Sequence, residues 1–281
     1  MNLLKMISDK NRALHSRVIS DSLLKESIAA AIAEMESRVV AMPASLEARL
    51  VLFQCLCIDG SWSRAVRQLQ LCAQLNPDMH KLAQAYRQLL RSENLRTEIL
   101  QGHCPPTFFN TTPNWGPHWI TALQHQENGA TDLADAARET AFSLIKDTPG
   151  ACNLGRFSWM TDGDTRLGPA CELVFNGQYL WLPFAQIREF SLSQPSSLLE
   201  LIWLPARIRL RNNASISGFI PARYPISAST PDALKLGKQT QWKKIGKTCI
   251  LGAGQKIWNT DTCDLPLFSI RNCEFDVFNI S

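Results

Sequence analysis

A helical hairpin between Leu46 and Pro77 limits the folds open to this chain more than any other stretch. Its first helix places Leu52, Phe53 and Leu56 on one face. Asp59-Gly60 then marks a turn, and Trp62, Ala65, Leu69, Cys72 and Pro77 follow. Each position has a packing reason. Gly60 can take the left-handed backbone that ends a helix. Ala65 and Cys72 are small enough to let two helices approach closely, and Pro77 cannot continue the second one.

This order, with glycine and an aromatic at the turn, then small, large and small residues and a closing proline, is that of the 34-residue tetratricopeptide-type repeat. One period upstream of Ala65 and Pro77 stand Ala31 and Pro43. The stretch Leu24–Val40 is alanine-rich, with Ile28, Ile32, Met35 and Val39 at helical spacing. Downstream the match weakens to a helix at His80–Leu90 and a short partner at Leu95–Gln101, which ends at Gly102 before Cys104-Pro105-Pro106. A last hairpin is predicted from Trp115–Gln126 and Thr131–Ile145, with Gly129 in its turn. Arrays of this kind present surfaces to other proteins, so the helical part reads as a binding module. An ordinary helical bundle is the alternative.

The 281 residues exceed the roughly 100–200 of one domain, so two domains are expected. No apolar run approaches the roughly 18 residues of a membrane span, and Met1-Asn2-Leu3-Leu4-Lys5-Met6 opens no signal-peptide pattern. Nine cysteines, without CxxC spacing and mostly on apolar faces (Cys55, Cys72, Cys171, Cys249), resemble reduced, buried thiols. A cytoplasmic protein with no membrane partner is the expectation.

Charge and pattern both change in the second half. Residues 1–149 hold 15 Lys/Arg and 15 Asp/Glu, whereas residues 150–281 hold 14 and 10. Beyond Thr148-Pro149-Gly150 the helical period gives way to short strand-like runs. They are Glu172–Asn176, Tyr179–Pro183, Ile187–Leu192, Ala206–Arg211, Ile216–Pro221, Cys249–Leu251, Lys256–Asn259 and Leu265–Arg271. Asn176-Gly177 is a type I′ hairpin signal, because both residues tolerate positive φ. Asn212-Asn213 plays a similar part, and only Ser197–Trp203 and Pro231–Leu236 read as helices. The predicted fold is therefore multidomain α and α+β. A tetratricopeptide-like α-α superhelix over residues 1–149 precedes a small, mostly antiparallel α+β domain over residues 150–281.

Several phrases of the chain resemble one family. They are Trp159-Met160-Thr161-Asp162-Gly163-Asp164-Thr165-Arg166-Leu167-Gly168-Pro169, Asn176-Gly177-Gln178-Tyr179-Leu180-Trp181-Leu182-Pro183-Phe184, Trp203-Leu204-Pro205-Ala206 and Ile220-Pro221-Ala222-Arg223-Tyr224-Pro225. Thr240-Gln241-Trp242 with Leu251-Gly252-Ala253-Gly254-Gln255-Lys256, and Phe53-Gln54-Cys55-Leu56-Cys57 with Gly60-Ser61-Trp62, complete the set. In this order, over nearly the whole chain, they resemble the ImpE/TagJ family of type VI secretion accessory proteins. The resemblance implies the same two-part fold and a non-enzymatic, cytoplasmic role. It also implies association with the N-terminal helix of the small contractile-sheath subunit, and a link to the AAA+ ATPase that disassembles contracted sheaths.

Other chemistry fits less well. All five histidines precede residue 126 and no GxSxG elbow exists. Asp162-Gly163-Asp164 lacks the later ligands of a calcium loop, since Arg166 stands at the third ligand position. It reads as a turn held by Asp side chains on backbone N–H groups, with Arg166 paired to one carboxylate. Gly252-Ala253-Gly254 is no dinucleotide fingerprint, because Ile257 occupies the third glycine's place. No metal or cofactor is expected. Arg207, Arg209 and Arg211 share one strand face, which reads as a solvated face before a nucleic-acid contact, so no nucleic-acid partner is expected. Trp159, Asp162, Asp164, Arg166, Tyr179, Trp181, Arg223 and Tyr224 are the candidate partner-contact residues, with packing inside the domain as the alternative for each aromatic. A small-molecule or hydrolytic site around Asp162, Asp164, Arg166 and Arg223 is the second functional reading, and it requires those four side chains to converge in one pocket.

Overall fold

A computed structural model describes residues 27–276. Among the described residues six helices come first: α1 (Ile28–Ala41), α2 (Leu46–Asp59), α3 (Trp62–Leu75), α4 (His80–Leu100), α5 (Gly116–Glu127) and α6 (Thr131–Ser143). Residues 24–26 of the first predicted helix lie outside the described residues. Ser27 and Ser45 cap α1 and α2, their side chains accepting from the N–H groups of Ala30 and Ala48. Gly60 closes α2 at φ +85, where a Cβ would lie 2.8 Å from Ile226 Cδ1. Every residue of α2 from Leu50 to Ile58 is buried, because α1, α3 and the sheet-rich part cover the helix on different sides.

Residues 80–100 form one helix of 21 residues, not the predicted helix and short partner. Ser92, Glu93 and Arg96 look like a polar interruption, yet all three are buried. Glu93 and Arg96 find their partners in the second half of the chain, while the Ser92 hydroxyl donates to the Gln88 carbonyl within the helix. The last hairpin forms as predicted, with Gly129 at φ +70 in its turn.

Strands replace helices at Gly150. β1 (Gly150–Cys152), β2 (Gly155–Phe157), β3 (Met160–Asp162), β4 (Ala170–Phe175), β5 (Gln178–Pro183), β6 (Ile187–Leu192), β7 (Trp203–Leu210) and β8 (Ser215–Pro221) are followed by the short helix α7 (Asp232–Lys235). Then come β9 (Thr240–Ile245), β10 (Cys249–Gly254), β11 (Ile257–Thr260), β12 (Asp264–Pro266) and β13 (Asn272–Phe275). The main sheet runs β2-β1-β13-β6-β7-β8-β4-β5, beside a β10-β9 ribbon and a β12-β11-β3 sheet. All pairings between these strands are antiparallel. Asn176 (φ 50) and Gly177 (φ 77) make the two-residue turn between β4 and β5. Ser197–Trp203 is not a regular helix: a 3₁₀ turn at Leu198–Leu201 leads directly into β7. Leu265–Arg271 likewise divides into β12, a 3₁₀ turn at Leu267–Ser269 and the approach to β13.

Helices and sheet share one apolar core. Phe53, Tyr86 and Leu89 of the helices pack in the same cluster as Val174, Tyr179, Trp181 and Trp203 of the strands. Tyr86 and Trp62 both stack near Trp203, at centroid distances of 6.3 and 6.0 Å. A second core, built around Phe184, Phe190, Trp258 and Phe275, lies within the strands.

Candidate functional site

The Asp162-Gly163-Asp164 turn leaves β3 and brings two carboxylates into the interior. Asp162 Oδ1 accepts from the Asp164 N–H at 3.0 Å, and Asp164 Oδ1 accepts from the Arg166 N–H at 2.9 Å. The turn is therefore held as its sequence predicts. Arg166 also pairs its guanidinium with Asp164, while Gly252 N–H donates to Asp164 Oδ2 at 2.9 Å. Asp162 receives the Tyr224 hydroxyl at 2.9 Å and the Lys256 ammonium at 2.7 Å.

Lys256 links this turn to β4, because its Nζ also lies 2.7 Å from Glu172 Oε2. Glu172 accepts from the Tyr179 hydroxyl and from two nitrogens of Arg96, and Trp181 Nε1 donates to the Tyr179 oxygen at 2.9 Å. Arg96 belongs to α4. It donates in addition to the Arg223 carbonyl at 2.9 Å, and one helical turn earlier Glu93 accepts from Trp203 Nε1 at 2.8 Å. The Arg223 guanidinium points to α2, donating to the carbonyls of Ile58 at 2.7 Å and Cys57 at 2.9 Å. Four carboxylates (Glu93, Asp162, Asp164, Glu172) thus face four cations (Arg96, Arg166, Arg223, Lys256), nearly all of them buried.

Burial alone raises the Glu172 carboxyl, but Arg96 and Lys256 beside it outweigh that and hold it at about 2. Asp162 has one cation instead of two. Burial lifts it to about 6 against the pull of Lys256, and Glu172 and Asp164 add to the rise. Burial lowers the Arg223 guanidinium to about 10, with Glu93 opposing. The partners come from α4, β4, β7, β11's leading loop and the Asp162 turn, so the network joins the helical half to the sheet.

Among the predicted contact residues, Asp162, Asp164, Tyr179, Trp181, Arg223 and Tyr224 are buried and Arg166 is largely so. Direct contact with a partner needs exposed atoms, so these seven serve the interior. Asp162, Asp164, Arg166 and Arg223 do not converge in one pocket: Arg223 holds backbone carbonyls, and the other three are engaged with one another, Tyr224, Lys256 and Gly252. Among the described residues, no group of three or more His, Cys, Asp or Glu is placed to hold a metal. Arg207 and Arg209 lie exposed on β7, alternating with buried Ala206, Ile208 and Leu210, and Arg209 sits 3.5 Å from Glu189.

Trp159 is different. It is 36% exposed and rims an apolar cleft of ≈ 290 Å³ lined by Trp115, Phe142, Ile145, Met160 and Phe184. The end of α6 forms one wall, and the strand half forms the other. Reading the sequence missed Glu93, Arg96, Glu172, Trp203 and Lys256. The available signal was the register of α4, where Glu93 and Arg96 continue the inward face of Leu82, Tyr86 and Leu89.

The ImpE protein family model matches residues 155–274, which hold the carboxylate turn, Glu172 and Lys256. The type VI secretion system accessory component TagJ of Pseudomonas aeruginosa is 33% identical over 247 residues, spanning 88% of this chain and 86% of that protein. The crystal structure of protein VPA1032 from Vibrio parahaemolyticus superposes with a TM-score of 0.83 at 24% identity, covering 92% of this chain and 97% of that one. That second likeness is one of fold.

Proposed function

The chain belongs to the ImpE/TagJ family, and on that premise we propose that it is a non-enzymatic accessory protein of a bacterial type VI secretion system. In this reading it works in the cytoplasm as an adaptor. It captures the N-terminal helix of the small contractile-sheath subunit and is linked to the AAA+ ATPase that disassembles contracted sheaths. Two domains, a tetratricopeptide-like one over residues 1–149 and an α+β one over residues 150–281, act as one body held by the charge network. Among the described residues no helix is long and apolar enough to cross a membrane.

The observation that carries the reading is the cleft beside Trp159. An amphipathic helix needs an apolar recess for its anchor side chains, and a partly exposed Trp at the rim supplies a large contact area. The Asp162, Glu172 and Arg96 groups are spent on one another, which favours a scaffold over a reactive site. The test is fluorescence anisotropy with a labelled peptide of the sheath subunit's N-terminal helix, titrated with the full chain and with Trp159→Ala. The expected dissociation constant is about 10 µM or tighter, equivalent to about −7 kcal/mol, with at least about tenfold loss in the variant. No binding at tens of micromolar would sink helix capture. Equal binding by the variant would move the site away from the cleft.

A further inference from the structure

The outer face of α4 carries a second surface, which shares no residue with the Trp159 cleft. His80, Gln84, Arg87, Gln88 and Arg91 recur at helical spacing and, with Ala73 and Ala83, line a groove of ≈ 370 Å³. One end is walled by the β4–β5 turn, where a Cβ on Gly177 would lie 2.6 Å from the Gln88 side-chain amide carbon. The lining contains two arginines and no carboxylate.

Two other arginines of the helical surface are paired, Arg38 with Glu34 and Arg64 with Glu36. Arg87 and Arg91 make no ion pair among the described residues. A guanidinium without an anionic partner gains most from a carboxylate, which takes two parallel N–H···O bonds. Residues four apart on a helix have their Cβ atoms about 5–6 Å apart, the spacing of two carboxylates one turn apart on a facing helix. Ala73 and Ala83 leave room for such a backbone to approach.

We propose that this groove docks an acidic helical segment of a partner protein, with carboxylates one turn apart seated on Arg87 and Arg91. The inference stands on the groove's own charge and does not depend on capture of the sheath subunit at Trp159. It makes the protein a two-site adaptor, with one apolar recess and one cationic groove.

The probe is a labelled alanine-based helical peptide carrying glutamates at i and i+4, titrated by anisotropy against the full chain at low salt. Its glutamine counterpart and a short DNA duplex are run beside it. Binding in the range of about 100 µM is expected. The glutamine peptide and Arg87→Glu/Arg91→Glu should each weaken it at least about tenfold, and physiological salt should weaken it as well. Arg91→Glu alone, at an exposed position, keeps the fold and should weaken it about fivefold. No binding of the glutamate peptide at about a millimolar, or equal binding by the Arg91 variant, overturns the proposal. Preferential binding of the duplex, lost in the same variants, overturns it in favour of a nucleic-acid groove.

Discussion

Arg96 and Glu172, 76 positions apart in the chain, meet through two parallel hydrogen bonds of 2.5 and 2.8 Å. The arginine comes from α4 and the glutamate from β4. The pair ties the helical half to the main sheet at a point that water does not reach. Because both groups lost their hydration, the pair matters less as a source of stability than as a condition on how the halves fit.

Arg96→Met should therefore be costly. It leaves Glu172 with Lys256 alone and deprives the Arg223 carbonyl of its donor. Breaking a buried pair from one side costs about 3–5 kcal/mol, which urea denaturation at neutral pH will read. The double variant Arg96→Met/Glu172→Leu should lose less than the sum of the two single variants, because neither charge is then stranded.

The same network sets a pH dependence. Glu172 titrates at about 2 in the folded protein against an ordinary 4.5, so its contribution is complete above about 4.5 and is lost as pH falls toward about 2. Asp162 works in the opposite sense. Its folded value of about 6 exceeds 3.8, so the folded state binds the extra proton and its contribution declines as pH rises from about 4 to about 6. Urea midpoints between pH 4 and 7 should fall more steeply for the wild type than for Asp162→Asn. Parallel profiles would show that Asp162 does not titrate there.

Gly168→Ala tests how the last helical hairpin seats on the strands. Gly168 has φ +53, and a Cβ there would lie 2.1 Å from Trp119 Cζ2. Trp119 in turn donates to the Arg166 carbonyl at 3.0 Å, beside the carboxylate turn. Left-handed strain and overpacking together predict a loss of about 2–4 kcal/mol, measured by thermal or chemical unfolding.

Trp159→Ala should separate binding from folding. The side chain is 36% exposed, so stability should change by no more than about 1 kcal/mol. Loss of sheath-peptide binding at unchanged melting temperature is the expected pattern.

Thiol accessibility gives an independent check on the packing. Cys263 is exposed, Cys104 and Cys152 are half-buried, and Cys55, Cys57, Cys72, Cys171, Cys249 and Cys273 are buried. Ellman's reagent should modify Cys263 first and leave the six buried thiols untouched until denaturant is added. Early reaction of Cys171, whose thiol burial also pushes up in pKa, would contradict the core described above.

Local signals were legible wherever backbone geometry alone decides them. Gly60, Gly129, Asn176-Gly177 and the Asp162 turn adopt the conformations their residue types predict. Cooperation between distant segments was not legible. Glu93 and Arg96 break the apolar pattern of α4 because their partners come from β4, β7 and the Arg223 carbonyl, and no local period encodes that. β9 escaped for another reason. Gln241 to Lys244 are all exposed, so the strand has no buried face to mark it with alternation. Tyr179, Trp181 and Tyr224 carry two readings in the sequence, partner contact and packing inside the domain, and the structure shows the second. Their hydroxyl and indole groups point inward, onto carboxylates or onto each other.

The position of β13 has a consequence for how the molecule is made. Asn272–Phe275 sits between β1 and β6, so the outer β1–β2 hairpin has no neighbour to join until those residues have been synthesised. During translation β6, already paired with β7, must wait with one edge open. Completion of the main sheet is an insertion event, late and long-range, and the slowest step in maturation should be closure of that gap.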